Sequence, residues 1–320
     1  MSWTTYKKVA GLTLVELLVS TVISLFLLLG VFQLLLNLGN TTLTTTSLSS
    51  YQESGRFATE FMVREIRQSG LLGNLSDIKQ ISPTIADPIA DASVTESFSC
   101  DKAWVWQLSA PIYGYDDTLS GVSSILDCMS SNSGSDVLIY RGSDDRVTAT
   151  ADLQDDHDYL YSNFSVGTLF RKNVDTTPTS ATGFDFWEVK TKILYIKNDP
   201  AGVPSLYQYD SSSSSSEQII DGVESMQISY GLRSDIGDFV KTYVTAPSFS
   251  DAVWDQVSTL QIDLLVRSLS PNSTYQKAGA CLDNANTYTL GNYTYTPTDT
   301  APNCYYRRVF TTIVQLRNGE

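Results

Sequence analysis

Histidine is almost missing from this 320-residue chain. The single His157 lies in Asp155-Asp156-His157-Asp158, with no second histidine and no cysteine nearby. A zinc centre or a partnered histidine base therefore has no support. The run reads as a solvated acidic turn. Cysteine is sparse too: Cys100, Cys128, Cys281 and Cys304, none in a CxxC pair. That spacing excludes zinc-ribbon and thioredoxin-like chemistry. GxSxG, HExxH, the P-loop and GxGxxG are absent, which removes the common hydrolase, protease and nucleotide sites. Acidic loops such as Asp144–Asp145 and Asp235–Asp238 could attract calcium, but no EF-hand spacing is present. The expectation is a chain that is not an enzyme and holds no cofactor or metal. Basic residues are also few, 21 against 35 acidic, for a formal charge of −14. No direct nucleic-acid binding is expected.

Charge is absent altogether from Leu17 to Gln52. Within that stretch, residues 17–36 are nearly all Leu, Val, Ile and Phe. Twenty helical residues span about 30 Å, the thickness of a bilayer's hydrocarbon core. The sequence predicts one membrane span at about 17–36 and a large water-facing remainder. Lys7 and Lys8 precede the span, and the first charge after it is Glu53. The positive-inside rule then places the N-terminus in the cytoplasm and the bulk outside. An oxidising compartment suits disulfides. Four cysteines allow three pairings, and the most local joins Cys100 to Cys128 and Cys281 to Cys304. Each loop would hold about twenty to thirty residues and contribute about 3 kcal/mol in the chain-entropy picture.

Past the span, residues 37–50 are rich in Thr, Ser and Gly, poor helix formers. A weak, frayed segment is expected there. The pattern then sharpens. Phe57, Ala58, Phe61, Met62 and Ile66 make one apolar face, and Arg56, Glu60, Arg64 and Arg67 the opposite one. Gly70 and Gly73 mark a stop. Beyond Gly73, Gly, Ser, Asp, Pro and Thr punctuate short alternating runs. Strands are predicted at 137–141, 192–197, 226–232, 260–267 and 307–318. One-face alternation suits an antiparallel sheet with one side on a helix. The serines Ser211–Ser216 read as a flexible loop. The fold class is α+β: a long N-terminal helix, membrane-spanning then amphipathic, packed on a β-rich antiparallel domain.

One glutamate, Glu16, interrupts the start of the apolar run. An ordinary secretory signal carries its cleavage site after such a run, at small residues. Here nothing like Ala-x-Ala follows Leu36, and the small residue sits before the run, at Gly11. "GLTLVELLVS" resembles the signal of type IV pilins and related pseudopilins. "GRFATEFMVREIRQSGLLG" (55–73), "SGSDVLIYRG" (133–142), "IIDGVESMQISYG" (219–231) and "RRVFTTIVQLRN" near the end resemble the PilW-type minor pilins. The resemblance implies that a prepilin peptidase cuts between Gly11 and Leu12 on the cytoplasmic side and that Leu12 is then N-methylated. The fifth residue from Leu12 is Glu16, which in pilins faces the N-terminal amine of a neighbouring subunit and sets the stagger between subunits. Leu12 replaces the family's usual phenylalanine. Gln33 stands where major pilins often carry a kinking proline, so a bend is expected at Gly30 or Gly39 instead. The implied domains are a leader at 1–11, a pilin helix at 12–73 and an exported globular domain at 74–320.

What the resemblance implies is assembly. The protein would sit in the inner membrane, then in the pilus at the cell surface. It would start the pilus with other minor pilins and the major pilin, at or near the tip, sometimes under a large tip adhesin. Such pili support twitching motility, adhesion and DNA uptake. Two rival readings share the architecture. One is a J-class pseudopilin of a type II secretion system, which the genomic neighbourhood would separate. The other is an independent tip adhesin, whose ligand surface could use Trp104 and Trp106.

Overall fold

The computed structural model describes residues 13–75, 80–83, 111–116, 134–233, 240–246, 254, 256–272 and 275–316. The chain divides into two compact units, Met1–Leu48 and Ser49–Glu320. One helix, α1, runs over Leu14–Ile66.

In the first unit, α1 is almost wholly apolar over Leu14–Leu36. Leu14–Leu36, 23 residues with a mean hydropathy of 2.5, is long and apolar enough to cross a membrane, and none of it is buried within the protein. A helix apolar all round needs an apolar surrounding. At 1.5 Å per residue the stretch is about 34 Å long, enough for a bilayer core. The expected fraying at 37–50 is not found. The backbone stays helical through those residues and through Gly30 and Gly39. The hydroxyls of Thr42, Thr45 and Thr46 donate to the carbonyls of Leu38, Thr41 and Thr42, each at 2.9 Å. Bonding one turn back satisfies these side chains inside a helix, so they do not compete with it.

In the second unit, α1 presents Tyr51, Gly55, Ala58, Met62 and Ile66 as one buried row. Ala58, Met62 and Ile66 are fully buried. Burying Met62 and Ile66 contributes about 1.5–3 kcal/mol each. Phe57 was expected on this face but is 45% exposed. It lies one residue, about 100° of helix rotation, from Ala58. It stacks on Phe61 instead, with ring centroids 6.3 Å apart. The helix ends at Ile66, ahead of the expected stop, and Gly70 and Gly73 form the turn with φ of +74° and +62°. That turn is stitched to the next long strand: Gly70 N–H donates to Arg141 O and Ser143 N–H to Leu71 O, both at 2.7 Å.

The strands in chain order are β1 (Ile81–Pro83), β2 (Ile112–Tyr115), β3 (Val137–Val147), β4 (Asp158–Ser162), β5 (Gly167–Arg171), β6 (Asp185–Asn198), β7 (Pro204–Asp210) and β8 (Ser215–Asp221). There follow β9 (Val223–Arg233), β10 (Val240–Val244), β11 (Val257–Arg267), β12 (Gln276–Lys277), β13 (Ala280–Cys281), β14 (Tyr288–Leu290), β15 (Tyr293–Tyr295) and β16 (Arg307–Gln315). The architecture is α+β. An eight-stranded sheet runs β1-β5-β4-β6-β3-β2, and β7 pairs with both β6 and β8. All its pairs are antiparallel except β1 with β5. A second, antiparallel sheet runs β10-β9-β11-β16.

The predicted strands at 137–141, 192–197, 226–232 and 260–267 fall within β3, β6, β9 and β11, and the fifth starts with β16 at Arg307 but extends past its last residue, Gln315. Met226, Ile228 and Tyr230 are buried on one face of β9, and Leu260, Ile262, Leu264 and Val266 on β11. The even residues of β16 face α1: a Cβ on Gly55 would lie 2.3 Å from the Phe310 ring. The serine run is no loose loop. Ser211–Ser214 make a tight turn between β7 and β8, held by Ser212 N–H on Asp210 Oδ1 at 2.8 Å, and Ser215 and Ser216 already belong to β8. At the seam between sheets, Asp136 N–H donates to Met226 O at 2.8 Å and Asp136 Oδ2 accepts Ile228 N–H at 2.7 Å.

Candidate functional site

The first site is the start of α1. Thr13 precedes the helix and Glu16 is its third residue. Glu16 Oε2 accepts both the backbone N–H and the hydroxyl of Thr13, each at 3.0 Å. Glu16 N–H donates back to Thr13 Oγ1 at 3.3 Å. This is a capping box, which closes donors that the first turn of a helix leaves open. The Thr-x-x-Glu signal stands at 13–16 in the sequence, and reading Glu16 only as a partner for another subunit misses it. Glu16 is exposed within the chain, so the carboxylate is held by its own helix yet remains open to a neighbour. Gly11, Leu12, Lys7 and Lys8 lie outside the described residues.

The second site is a buried charge cluster under a disulfide-closed loop. Cys281 and Cys304 are bonded, with Cα atoms 5.2 Å apart and a sequence separation of 23. This is one half of the expected pairing; Cys100 and Cys128 lie outside the described residues. The loop carries the short hairpin β14–β15. Arg307, the first residue of β16, fastens it. Its guanidinium meets Glu224 through Nε to Oε2 at 2.5 Å and Nη2 to Oε1 at 2.8 Å. Nη1 reaches Asp283 Oδ2 at 2.8 Å and Asp299 Oδ2 at 2.6 Å, both inside the loop. The side chain of Arg307 is 1% exposed and that of Asp283 is 0%. Arg267 also meets Glu224, at 3.2 Å, so two cations face three carboxylates. Burial pulls the Arg307 pKa down, but hydrogen bonds and charge from Glu224, Asp299 and Asp283 outweigh it and hold it above the ordinary value. Burial, and the Asp283 carboxylate that its hydroxyl bonds at 2.5 Å, push the Tyr288 phenol up.

Of the acidic residues singled out in the sequence, Asp144 and Asp158 are committed to cations. His157 is not a solvated turn residue: Nδ1 lies 2.7 Å from Glu188 Oε1, and both side chains are mostly buried. Asp158 holds Arg171 through two bonds, at 2.8 and 3.1 Å. Asp155 and Asp156 alone of that run stay exposed. Asp144 lies 3.4 Å from Lys190 and 3.3 Å from Lys192, while Asp145 is exposed. Asp235–Asp238, Trp104 and Trp106 lie outside the described residues. Among the described residues, no group of three or more His, Cys, Asp or Glu is placed to hold a metal ion.

Two family models match the chain, one over each of these regions. The model of the prokaryotic N-terminal methylation motif matches residues 6–32, which include Gly11, Leu12 and Glu16. The model of type IV pilus-assembly protein W matches residues 193–318, which include the disulfide, Glu224 and Arg307. Searches of curated proteins and of solved structures return no match. A methylation motif on an exposed apolar helix fits a pilin anchored in the inner membrane. The two matches, with the α+β architecture, support a type IV pilin-like minor pilin, and the pilus-assembly family suggests other pilins as partners.

Proposed function

We propose that this minor pilin primes pilus assembly and stays at or near the filament tip, where it supports twitching motility, adhesion or DNA uptake. It acts by docking, not by catalysis. Its maturation is cleavage between Gly11 and Leu12 by a prepilin peptidase at the cytoplasmic face, then methylation of the Leu12 amine. Before assembly, the globular domain faces the periplasm.

One observation carries the reading: a 23-residue apolar helix, unburied within its own chain, opens on a carboxylate. In a bilayer that carboxylate is tolerable near the headgroups. In a filament it needs a cation, and a neighbour's N-terminal amine supplies one. The test is twofold. N-terminal sequencing of the mature protein should begin at Leu12, and Gly11→Val should leave the leader in place. Labelled antibody should decorate filament ends, and deletion of the gene should lower the number of pili, not their length. A start at Met1, or label spread along the shaft, refutes the reading.

A further inference from the structure

The C-terminal strand β16 is an edge. It pairs with β11 on one side, and no described strand covers the other. The bonds that bracket its ladder show which groups are left over. Leu316 N–H donates to Ser258 O and Ser268 N–H to Tyr306 O, both at 2.9 Å. In an antiparallel pair, hydrogen-bonded and non-bonded residues alternate. Even residues of β16 therefore bond β11, and Val309, Thr311, Ile313 and Gln315 turn N–H and C=O outward. Those outward groups meet no hydrogen-bond partner among the described residues. Thr311, Ile313 and Gln315 are exposed, Ile313 by 57%.

Proteins usually blunt such an edge with proline, lysine, a bulge or a covering element. The β11–β16 register runs without a bulge from Thr259↔Gln315 to Arg267↔Arg307, and Thr311 to Gln315 contains neither proline nor lysine. Beside the edge lies a cavity of about 380 Å³ between α1 and β16, lined by Val63, Arg64, Arg67 and Thr312 among others. Glu60 also lines it but is engaged by Arg56 at 3.4 Å. Arg64 and Arg67 are exposed and make no ion pair among the described residues. Arg64 lies over the Phe61 ring at 5.9 Å, which leaves its charge without a carboxylate among the described residues; on a chain of net charge −14, two arginines so placed beside an open edge select for negative charge.

We propose that β16 is a docking edge for an extended, acidic segment of a different pilus subunit. The segment would add to the second sheet as a fifth strand. Its backbone would bond the outward groups of Val309 to Gln315. Side chains on its helix-facing side would enter the cavity over Val63, and Asp or Glu there would meet Arg64 and Arg67. A second copy of this chain fits poorly. Two β16 edges paired about a two-fold axis would bring both pairs of arginines to one seam, and like charges there oppose association. The proposal rests on the chain being a pilus subunit.

The test uses the full-length chain in piliated cells, with photoreactive benzoylphenylalanine placed at Gln315. Illumination should join it to an Asp- or Glu-bearing strand of another pilus subunit, mapped by peptide sequencing. Paired Arg64→Glu and Arg67→Glu should cut the adduct about tenfold, and paired Arg64→Lys and Arg67→Lys should keep it. Ile313→Pro removes only an outward N–H and should also cut it; if that variant misfolds, the arginine pair still decides. An adduct to a second copy, through β16 or through the exposed β8, overturns the proposal. So does an adduct indifferent to charge reversal, or none at all while the chain is recovered in sheared pili. If the chain never enters pili, the pilus reading fails and this proposal falls with it.

Discussion

Arg307→Met isolates what the buried charge cluster contributes. Methionine keeps most of the stem's volume, so the cavity term is small and the change is mainly electrostatic. The lost guanidinium touches three carboxylates, and Asp283 and Glu224 are 0% and 7% exposed at the side chain. Only Arg267 remains to balance them, at 3.2 Å from Glu224. Breaking a buried pair by removing one partner costs about 3–5 kcal/mol, because the other charge is left uncompensated. That is a large part of the roughly 5–15 kcal/mol that holds a domain folded. Urea unfolding of the detergent-solubilised full chain, followed by tyrosine and tryptophan fluorescence at neutral pH, should show a loss of that size. The orphaned charge can be tested directly. Glu224→Gln should destabilise the native protein yet recover part of the loss in the Arg307→Met background, giving a favourable coupling in the double-mutant cycle. A local readout accompanies the global one. Cys281 and Cys304 are 4% and 0% exposed, and Arg307 fastens the loop between them through Asp283 and Asp299. Dithiothreitol should therefore reduce the bond faster in the variant. A loss below about 1 kcal/mol, the range of solvent-exposed ion pairs, with unchanged reduction would refute the account.

Two further outcomes follow from the same structure. Glu16→Ala should leave cleavage at Leu12 and the folded globular domain intact but lower recovery of the protein in sheared pili relative to the inner membrane; equal recovery would make Glu16 only a helix cap. Burial and the Glu224 charge push the Tyr295 phenol up to about 12, against an ordinary value of 10.0. A raised folded-state pKa stabilises below the unfolded value, so this contribution should be complete below about pH 10 and fade between about pH 10 and 12. Tyr295→Phe should flatten that part of the stability curve, and an unchanged curve would contradict the assignment.

Local chemistry was legible in the residues. The all-apolar run gave a helix long and apolar enough to cross a membrane, because no polar face interrupts it. Ala58, Met62 and Ile66 gave the seat of the helix because helical spacing stacks them. Cys281 and Cys304 were paired from proximity in sequence, and the bond is there. What escaped depends on pairing over distance. Glu224 and Arg307 lie 83 residues apart, and they meet because β9 and β16 both flank β11. Nothing in either residue's neighbourhood announces that. The threonines of α1 misled for a different reason. Propensity scales average over exposed hosts, while Thr42, Thr45 and Thr46 bond to carbonyls one turn back and stay in the helix.

The final strand shows where a pattern stops being informative. Alternation in "RRVFTTIVQLRN" says that residues two apart share a face, and Phe310, Val314 and Leu316 do share one. It does not say which backbone groups are bonded, because a strand has two edges as well as two faces. The faces follow from side chains, which the sequence displays. The edges follow from the order of strands and the parity of the ladder, which it does not. Had β16 lain between two strands, Ile313 N–H would be satisfied inside the sheet. At the end of the order β10-β9-β11-β16, the same residue offers its N–H and C=O outward, beside Arg64 and Arg67. A strand that reads as ordinary sheet core thus ends its sheet with bonding groups turned outward.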